Sequence, residues 1–141
     1  MGIPNVTVSF LPVLVAVIAQ MIIGGFWYSP AGFGKQWMKL SGMTKKQLAK
    51  AKKKGMGKSY LLAFIGSLMT AYVLAHFVVY VTAQTLSDGI QLGFWLWLGF
   101  VAPITLGMVL WEGKSWKLWI LNNTHNLISL IVMAGILSVW N

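Results

Sequence analysis

Four long apolar stretches, separated by short polar segments, dominate the pattern of hydrophobic and polar positions along this chain. They cover residues 6–28, 60–84, 90–111 and 116–140. Each is long enough, at ~1.5 Å per helical residue, to cross a hydrocarbon core of ~30 Å. None shows the polar outer face that a helix of a water-soluble bundle needs. The pattern therefore predicts an all-α integral membrane protein, with four transmembrane helices forming a single membrane domain over residues 1–141.

Composition agrees with this class. Of the 141 residues, 57% are hydrophobic and only 9% are charged, whereas soluble domains are about a quarter charged. Aromatic side chains that favour membrane interfaces stand at the ends of the stretches, among them Trp27, Tyr28, Trp111 and Trp116. The chain has no cysteine, which excludes thiolate nucleophiles and cysteine metal sites. We predict no catalytic residue, no cofactor and no metal site.

The positive charge is confined to two segments. Of the eleven lysines, nine lie between Lys35 and Lys58, and the other two are Lys114 and Lys117. Loops on the cytoplasmic side of membrane helices carry an excess of basic residues. The pattern therefore predicts a cell (inner) membrane protein whose basic loop, residues 29–59, is cytoplasmic and whose N- and C-termini are outside. Since these lysines flank membrane segments, we expect no nucleic-acid partner.

A short helix is predicted within the basic loop. Thr44 followed by Gln47 is a capping-box pattern, which opens a helix from Lys45 to Lys54 that Gly55 ends. We expect it to be an amphipathic, basic helix at the membrane interface. Its lysines would contact anionic headgroups, at about 1 kcal/mol per basic residue, or serve only to fix the topology. These lysines are Lys45, Lys46, Lys50, Lys52, Lys53 and Lys54.

Polar residues inside the apolar stretches form the predicted site. They are Gln20, Ser67, Thr70, Thr105, Asn122, His125, Asn126 and Ser129. Counting ~1.5 Å per residue from the cytoplasmic aromatic belt puts five of them, Gln20, Ser67, Thr70, Thr105 and His125, about 9–15 Å deep in one layer. The four on the last stretch recur every three or four residues and so share one helix face. The layer is interpreted either as a polar cavity open to the cytoplasm or as hydrogen-bonding contacts between helices.

Three further features concern the packing and the membrane interface. Glu112 follows the third stretch and is predicted to form an interfacial ion pair, or a gate, with a nearby lysine such as Lys114. Small residues recur every four positions in the second stretch and at Gly99, Pro103 and Gly107 in the third, which predicts close helix packing. Pro103 predicts a kink in the third helix.

Several sequence blocks carry a family resemblance. They are Gly25-Phe26-Trp27-Tyr28-Ser29-Pro30, Phe33-Gly34-Lys35, Trp37-Met38, Lys53-Lys54-Gly55-Met56, Leu92-Gly93-Phe94-Trp95-Leu96 and Trp111-Glu112-Gly113-Lys114. On these blocks the chain resembles the domain of unknown function 1761 family. The resemblance implies a small multi-span membrane protein, and it transfers no catalytic residue.

Three function classes stay open from the sequence. The first is a non-enzymatic module, a transporter among the options, that binds or passes a small polar solute or ion through the polar layer in the cytoplasmic half. The second is a structural protein that organises anionic lipids through the basic loop. The third is a small membrane enzyme on a lipid-like substrate, with His125 as base and Glu112 as acid, which the absence of paired carboxylates and metal-ligand spacing disfavours. Because a four-helix unit has a narrow interior, we expect a homo-oligomer.

Overall fold

The computed structural model describes residues 2–140, so Met1 and Asn141 lie outside the described residues. Every regular element in this range is helical. The helices are α1 (Phe10–Trp27), α2 (Gly34–Ser41), α3 (Lys45–Lys54), α4 (Gly57–Tyr80), α5 (Leu86–Phe100), α6 (Ala102–Thr105), α7 (Gly107–Leu110) and α8 (Trp116–Val139). The predicted all-α fold is confirmed.

Four helical segments are long and apolar enough to cross a membrane. They are Phe10–Trp27, Gly57–Tyr80, Leu86–Leu110 and Trp116–Val139. Much of their surface is apolar and faces outward; Phe10 is 74% exposed and Ile104 is 71% exposed. Large exposed apolar faces are typical of helices that contact lipid, whereas soluble proteins keep such patches small.

The first helix begins at Phe10, four residues later than the predicted start at residue 6. Pro12 explains this difference. In the observed helix Pro12 falls in the first turn, where its missing N–H removes no hydrogen bond. A start at residue 6 would have placed Pro12 in the helix interior, where it would break the ladder.

The connection between α4 and α5 is also displaced from its prediction. α4 ends at Tyr80 instead of residue 84, because Thr82 adopts a left-handed φ of 54° and the Ala83 N–H bonds to the Val78 carbonyl at 2.9 Å. α5 begins at Leu86 instead of residue 90. Its capping box pairs Thr85 with Asp88, and the Asp88 N–H donates to Thr85 Oγ1 at 3.1 Å.

The third apolar segment is interrupted close to Pro103, where a kink was predicted. α5 ends at Phe100, and helical geometry resumes only with α6 at Ala102. Pro103 has no N–H to donate to the Gly99 carbonyl one turn earlier, so the helix is interrupted at this point.

The most extensive helix packing runs along α8, which contacts α5, α1, α4 and α2. The buried core lies mainly between α1, α4 and α8. It contains Val13, Val17, Ala71, Val78 and Met133, each no more than 1% exposed. α8 is therefore the central helix.

The closest helix packing occurs at a glycine pair outside the predicted small-residue series. Gly89 and Gly93 of α5 lie against the α8 backbone, and a Cβ added at Gly93 would lie 2.8 Å from Ile131 Cα. At Gly99, in the predicted series, an added Cβ would meet nothing within 4 Å, and Pro103 is exposed. The predicted close packing of the third segment therefore occurs on another face, one with a small-x-x-x-small spacing.

The basic loop contains two helices instead of one. α3 has the predicted bounds and the predicted capping box, with the Gln47 N–H donating to Thr44 Oγ1 at 3.1 Å. It buries no residue. The additional helix α2 packs against α8, and it begins at Gly34 after a tight turn that follows α1.

Candidate functional site

One group of polar side chains gathers where the end of α1 meets the middle of α8. The Tyr28 hydroxyl donates to Asn122 Oδ1 at 2.8 Å. Along α8, His125 contacts both Asn126 and Ser129. These five residues, Tyr28, Asn122, His125, Asn126 and Ser129, are called the His125 cluster below.

Both ring nitrogens of His125 have a polar neighbour on α8. Nδ1 lies 3.4 Å from Asn126 Oδ1, and Nε2 lies 3.4 Å from Ser129 Oγ. An amide oxygen only accepts hydrogen bonds, so a proton on Nδ1 would be donated to Asn126, whereas the Ser129 hydroxyl can either donate to Nε2 or accept from it.

Aromatic rings from the end of α1 cover the imidazole. The Tyr28 ring centroid lies 5.2 Å from that of His125 in an edge-on arrangement, and the Trp27 centroid lies 6.1 Å away. Partial burial raises the pKa of the Tyr28 hydroxyl above its ordinary value. Tyr28 therefore stays protonated at neutral pH and remains a hydrogen-bond donor to Asn122.

A compact turn between α1 and α2 positions Tyr28. The Phe33 N–H donates to the Trp27 carbonyl at 2.6 Å, and the two rings lie 4.5 Å apart. The chain can close this tightly because Gly34 has no side chain; an added Cβ would lie 2.7 Å from the Ser29 carbonyl oxygen. The first of the family-like blocks thus builds the aromatic cover of the His125 cluster.

A second polar network lies on another face of α8. The Trp119 indole N–H donates to Thr105 Oγ1 at 3.1 Å, and the Thr105 hydroxyl lies 3.0 Å from Asn123 Oδ1. Asn123 Nδ2 donates to the Trp119 carbonyl at 3.0 Å. Asn123 is 1% exposed, whereas Thr105 and Trp119 are partly exposed. The network therefore joins α8, through a buried asparagine, to the segment that follows the helix break.

The predicted polar layer is thus divided among several sites. Asn122, His125, Asn126 and Ser129 come together, whereas Thr105 belongs to the second network. Ser67 lies 3.8 Å from Met21 Sδ, and Thr70 donates to the Gly66 carbonyl of its own helix. Gln20 Oε1 is buried without a hydrogen-bond partner among residues 2–140. No hydrogen bond in that range joins Gln20, Ser67 or Thr70 to the His125 cluster.

Two members of these networks, Asn123 and Trp119, were absent from the predicted site, and so was Tyr28. Asn123 belongs to the same polar run of α8 as Asn122, but it lies on a different face of the helix. Trp119 and Tyr28 have an ordinary explanation in the sequence as aromatic residues near a membrane interface. Their indole and hydroxyl groups needed partners, which is the signal that could have found them.

The charged residues lie apart from these networks. The six predicted lipid-contacting lysines of α3 are all exposed. Glu112 and Lys114 are exposed on the turn after α7, where the Lys114 N–H donates to the Met108 carbonyl at 2.9 Å. Their ion pair stays a prediction. Across residues 2–140, no three His, Asp or Glu side chains are close enough to hold a metal ion together.

An open groove of about 410 Å³ lies between α4 and α5, and it is apolar. Leu130 of α8 also lines it, and the only polar lining residue is Thr70, whose hydroxyl bonds to its own helix. The groove therefore offers no hydrogen-bonding site for a polar solute.

The fold and the site together describe a small all-α protein with four membrane-capable helices and a half-buried histidine cluster. The family model described as protein of unknown function (DUF1761) matches residues 11–138. The chain belongs to this family, as the sequence resemblance predicted. Neither the curated proteins nor the solved structures yield a match to the chain.

Proposed function

We propose that the protein is an integral membrane module that binds a small polar solute or ion at the His125 cluster, without catalysing a reaction. The four membrane-capable segments support the membrane location. The lysine distribution supports an orientation with the basic loop in the cytoplasm and both termini outside. In this orientation the His125 cluster lies in the cytoplasmic half, near the loop that contains α2 and α3.

One observation carries the proposal: the cluster is polar, partly exposed and incompletely bonded. Asn122, His125 and Asn126 are each of intermediate exposure, whereas neighbouring Asn123 is buried and bonded through both its amide atoms. Polar groups within a membrane protein are costly unless they are satisfied or functional. Asn123 is satisfied by its hydrogen bonds, whereas the His125 cluster keeps unbonded polar groups, as a functional site would.

Cysteine labelling tests whether water reaches the cluster. The chain contains no cysteine, so single cysteines can be placed at Asn122 and Asn126, with Asn123→Cys as the matched control on the buried face. We expect a membrane-impermeant thiol reagent, added from the cytoplasmic side, to label the first two positions at least about 10-fold faster than the control.

Equal, slow labelling at all three positions would mean that the layer is dry and that the His125 cluster only joins helices. Such a result would refute solute binding at this site. Labelling from the opposite side of the membrane would instead reverse the proposed orientation. Each variant is first checked for native helix content and thermal stability, so that unfolding is not read as access.

A second function, organisation of anionic lipids, is favoured by the state of α3. This helix is capped at its N-terminus, buries no residue and exposes all its lysines. A folded basic helix that buries none of its own residues is well suited to lie on an anionic surface, at about 1 kcal/mol per lysine.

A fluorophore attached at Ala49→Cys tests the lipid contact. In vesicles that contain phosphatidylglycerol we expect its emission to shift to the blue relative to phosphatidylcholine vesicles, and to return at high salt because salt screens surface charge. Replacing Lys52, Lys53 and Lys54 by glutamine should remove most of the shift, whereas Lys114→Gln with Lys117→Gln should not. The same emission in both lipids would contradict a role for α3 in lipid recognition.

A further inference from the structure

We infer that the ligand of the His125 cluster is a small anion that accepts hydrogen bonds, such as a carboxylate or a halide, and not a cation. This inference rests on the proposed function, because it names the class of ligand for the same site. It follows from which hydrogen-bonding atoms the cluster has already used and which remain free.

Each acceptor of the cluster already has a neighbour in the chain. Asn122 Oδ1 accepts from the Tyr28 hydroxyl, Asn126 Oδ1 lies 3.4 Å from His125 Nδ1, and His125 Nε2 lies 3.4 Å from Ser129 Oγ. Metal cations such as magnesium or calcium are held by several oxygen ligands, carboxylates above all. The cluster contains no carboxylate.

The donor atoms, in contrast, are free. Each asparagine amide carries two N–H groups, and within residues 2–140 the side-chain nitrogens of Asn122 and Asn126 have no protein partner. Both belong to the partly exposed face of α8. The Trp27 indole N–H is also buried without a partner in the described chain, on the residue whose ring lies 6.1 Å from His125. Unused donors on one face of α8 and on the neighbouring Trp27 favour a ligand rich in acceptors.

The charge around the cluster points in the same direction. Asp88 is engaged in the capping box of α5, and the only other acidic residue, Glu112, is exposed on the turn after α7. No carboxylate is bonded to any member of the cluster in residues 2–140. α2, which carries Lys35 and Lys39, packs against α8, and Lys117 lies in the first turn of α8. With a net charge of +9, the surrounding potential attracts anions.

Side-chain amide resonances provide a direct test. The protein is labelled with ¹⁵N-asparagine in detergent micelles, and the NH₂ signals are assigned with single Asn→Asp variants. In one series sodium is held constant while chloride is exchanged for acetate or formate; in the other, chloride is held constant while sodium is exchanged for potassium, ammonium or magnesium. The Asn123 signal is the internal control, because its amide is buried and bonded.

We expect the Asn122 and Asn126 signals to move with the anion and to be unaffected by the cation, while the Asn123 signal stays in place. Asn122→Asp removes the free donors and adds a negative charge that repels an anion, so it should weaken the anion response at least about 10- to 100-fold, the effect of one or more hydrogen bonds to a charged group. Asn122→Gln keeps the donor and should retain a response.

Signals that move only in the cation series, or in neither series, would overturn the anion assignment. The cysteine-labelling experiment separates this outcome from failure of the site itself. If the cysteines are labelled but the amide signals respond to cations, the proposed function stands and the anion assignment is wrong. If the cysteines are not labelled, both are wrong.

Discussion

Replacing Gly93 by alanine is expected to destabilise the protein by about 1–3 kcal/mol, the usual cost of forcing extra atoms into a packed interface. A Cβ at this position would lie 2.8 Å from Ile131 Cα and 2.8 Å from the Leu130 carbonyl oxygen. Both contacts are with backbone atoms, which cannot rotate away as a side chain can. α5 would therefore have to move away from α8, the helix on which the whole fold is assembled.

Gly99→Ala is the matched control on the same helix, since a Cβ there would meet nothing within 4 Å. It should be neutral, or stabilising by up to about 0.5–1 kcal/mol, because alanine favours a helix more than glycine does. Thermal or denaturant unfolding in detergent, followed by circular dichroism, measures both variants. Equal stability of the two variants would show that α5 and α8 are not in close backbone contact at Gly93.

Asn123→Leu is expected to be the most damaging change among the polar residues, at about 0.5–1.5 kcal/mol for each buried hydrogen bond lost. Leucine removes the Oδ1 acceptor near Thr105 and the Nδ2 donor to the Trp119 carbonyl, whereas the Thr105 hydroxyl keeps the Val101 and Ala102 carbonyls as acceptors. Asn122→Leu serves as the control, because Asn122 makes one described side-chain bond, to Tyr28, and is partly exposed. It should cost less, near the ~0.6 kcal/mol average for hydrogen bonds between membrane helices.

A double-mutant cycle with Thr105→Val isolates the bond itself. Valine keeps the shape of threonine without its hydroxyl, so the two substitutions together should cost less than the sum of their separate effects. Strict additivity would mean that Asn123 and Thr105 do not share a hydrogen bond.

The two predictions show how differently helix packing and polar contacts could be foreseen. Repeating small residues at Gly99, Pro103 and Gly107 predicted close packing, yet the packed pair is Gly89 and Gly93. A spacing of four identifies a helix face but not its neighbour. Which face is covered depends on how α5 rotates against α8, and that rotation is decided by the whole interface.

The same limitation applied to the polar residues. Three- and four-residue spacing correctly grouped Asn122, His125, Asn126 and Ser129 on one face of α8. Depth counting, however, placed them in one layer with Thr105, Ser67 and Thr70, whose hydroxyl groups contact other residues in the structure. Depth places residues at one level of a bundle but leaves open the direction in which each points. Tyr28, which completes the cluster, was hidden because an aromatic residue at a helix end has an ordinary interfacial explanation.

Local chemistry was more predictable than tertiary contacts. The Thr44 and Gln47 capping box defined α3 to the residue, because a cap depends only on atoms three positions apart. The same reasoning applied to Thr85 and Asp88, or to Pro12, would have corrected the starts of α5 and α1. The helix α2 escaped prediction, since eight residues with a mixed pattern become a helix here by packing on α8.

By itself, the sequence determined the helical class, the four membrane-capable segments, the family and the basic helix α3, because hydropathy, capping and charge act over one turn or one span of chain. Only the tertiary structure decided that α8 is central, that Gly89 and Gly93 form its closest contact, and that the polar residues separate into a network around buried Asn123 and a partly exposed cluster. Those features depend on the rotation of each helix about its own axis. That rotation is determined by all the neighbours of a helix at once, and no local pattern encodes it.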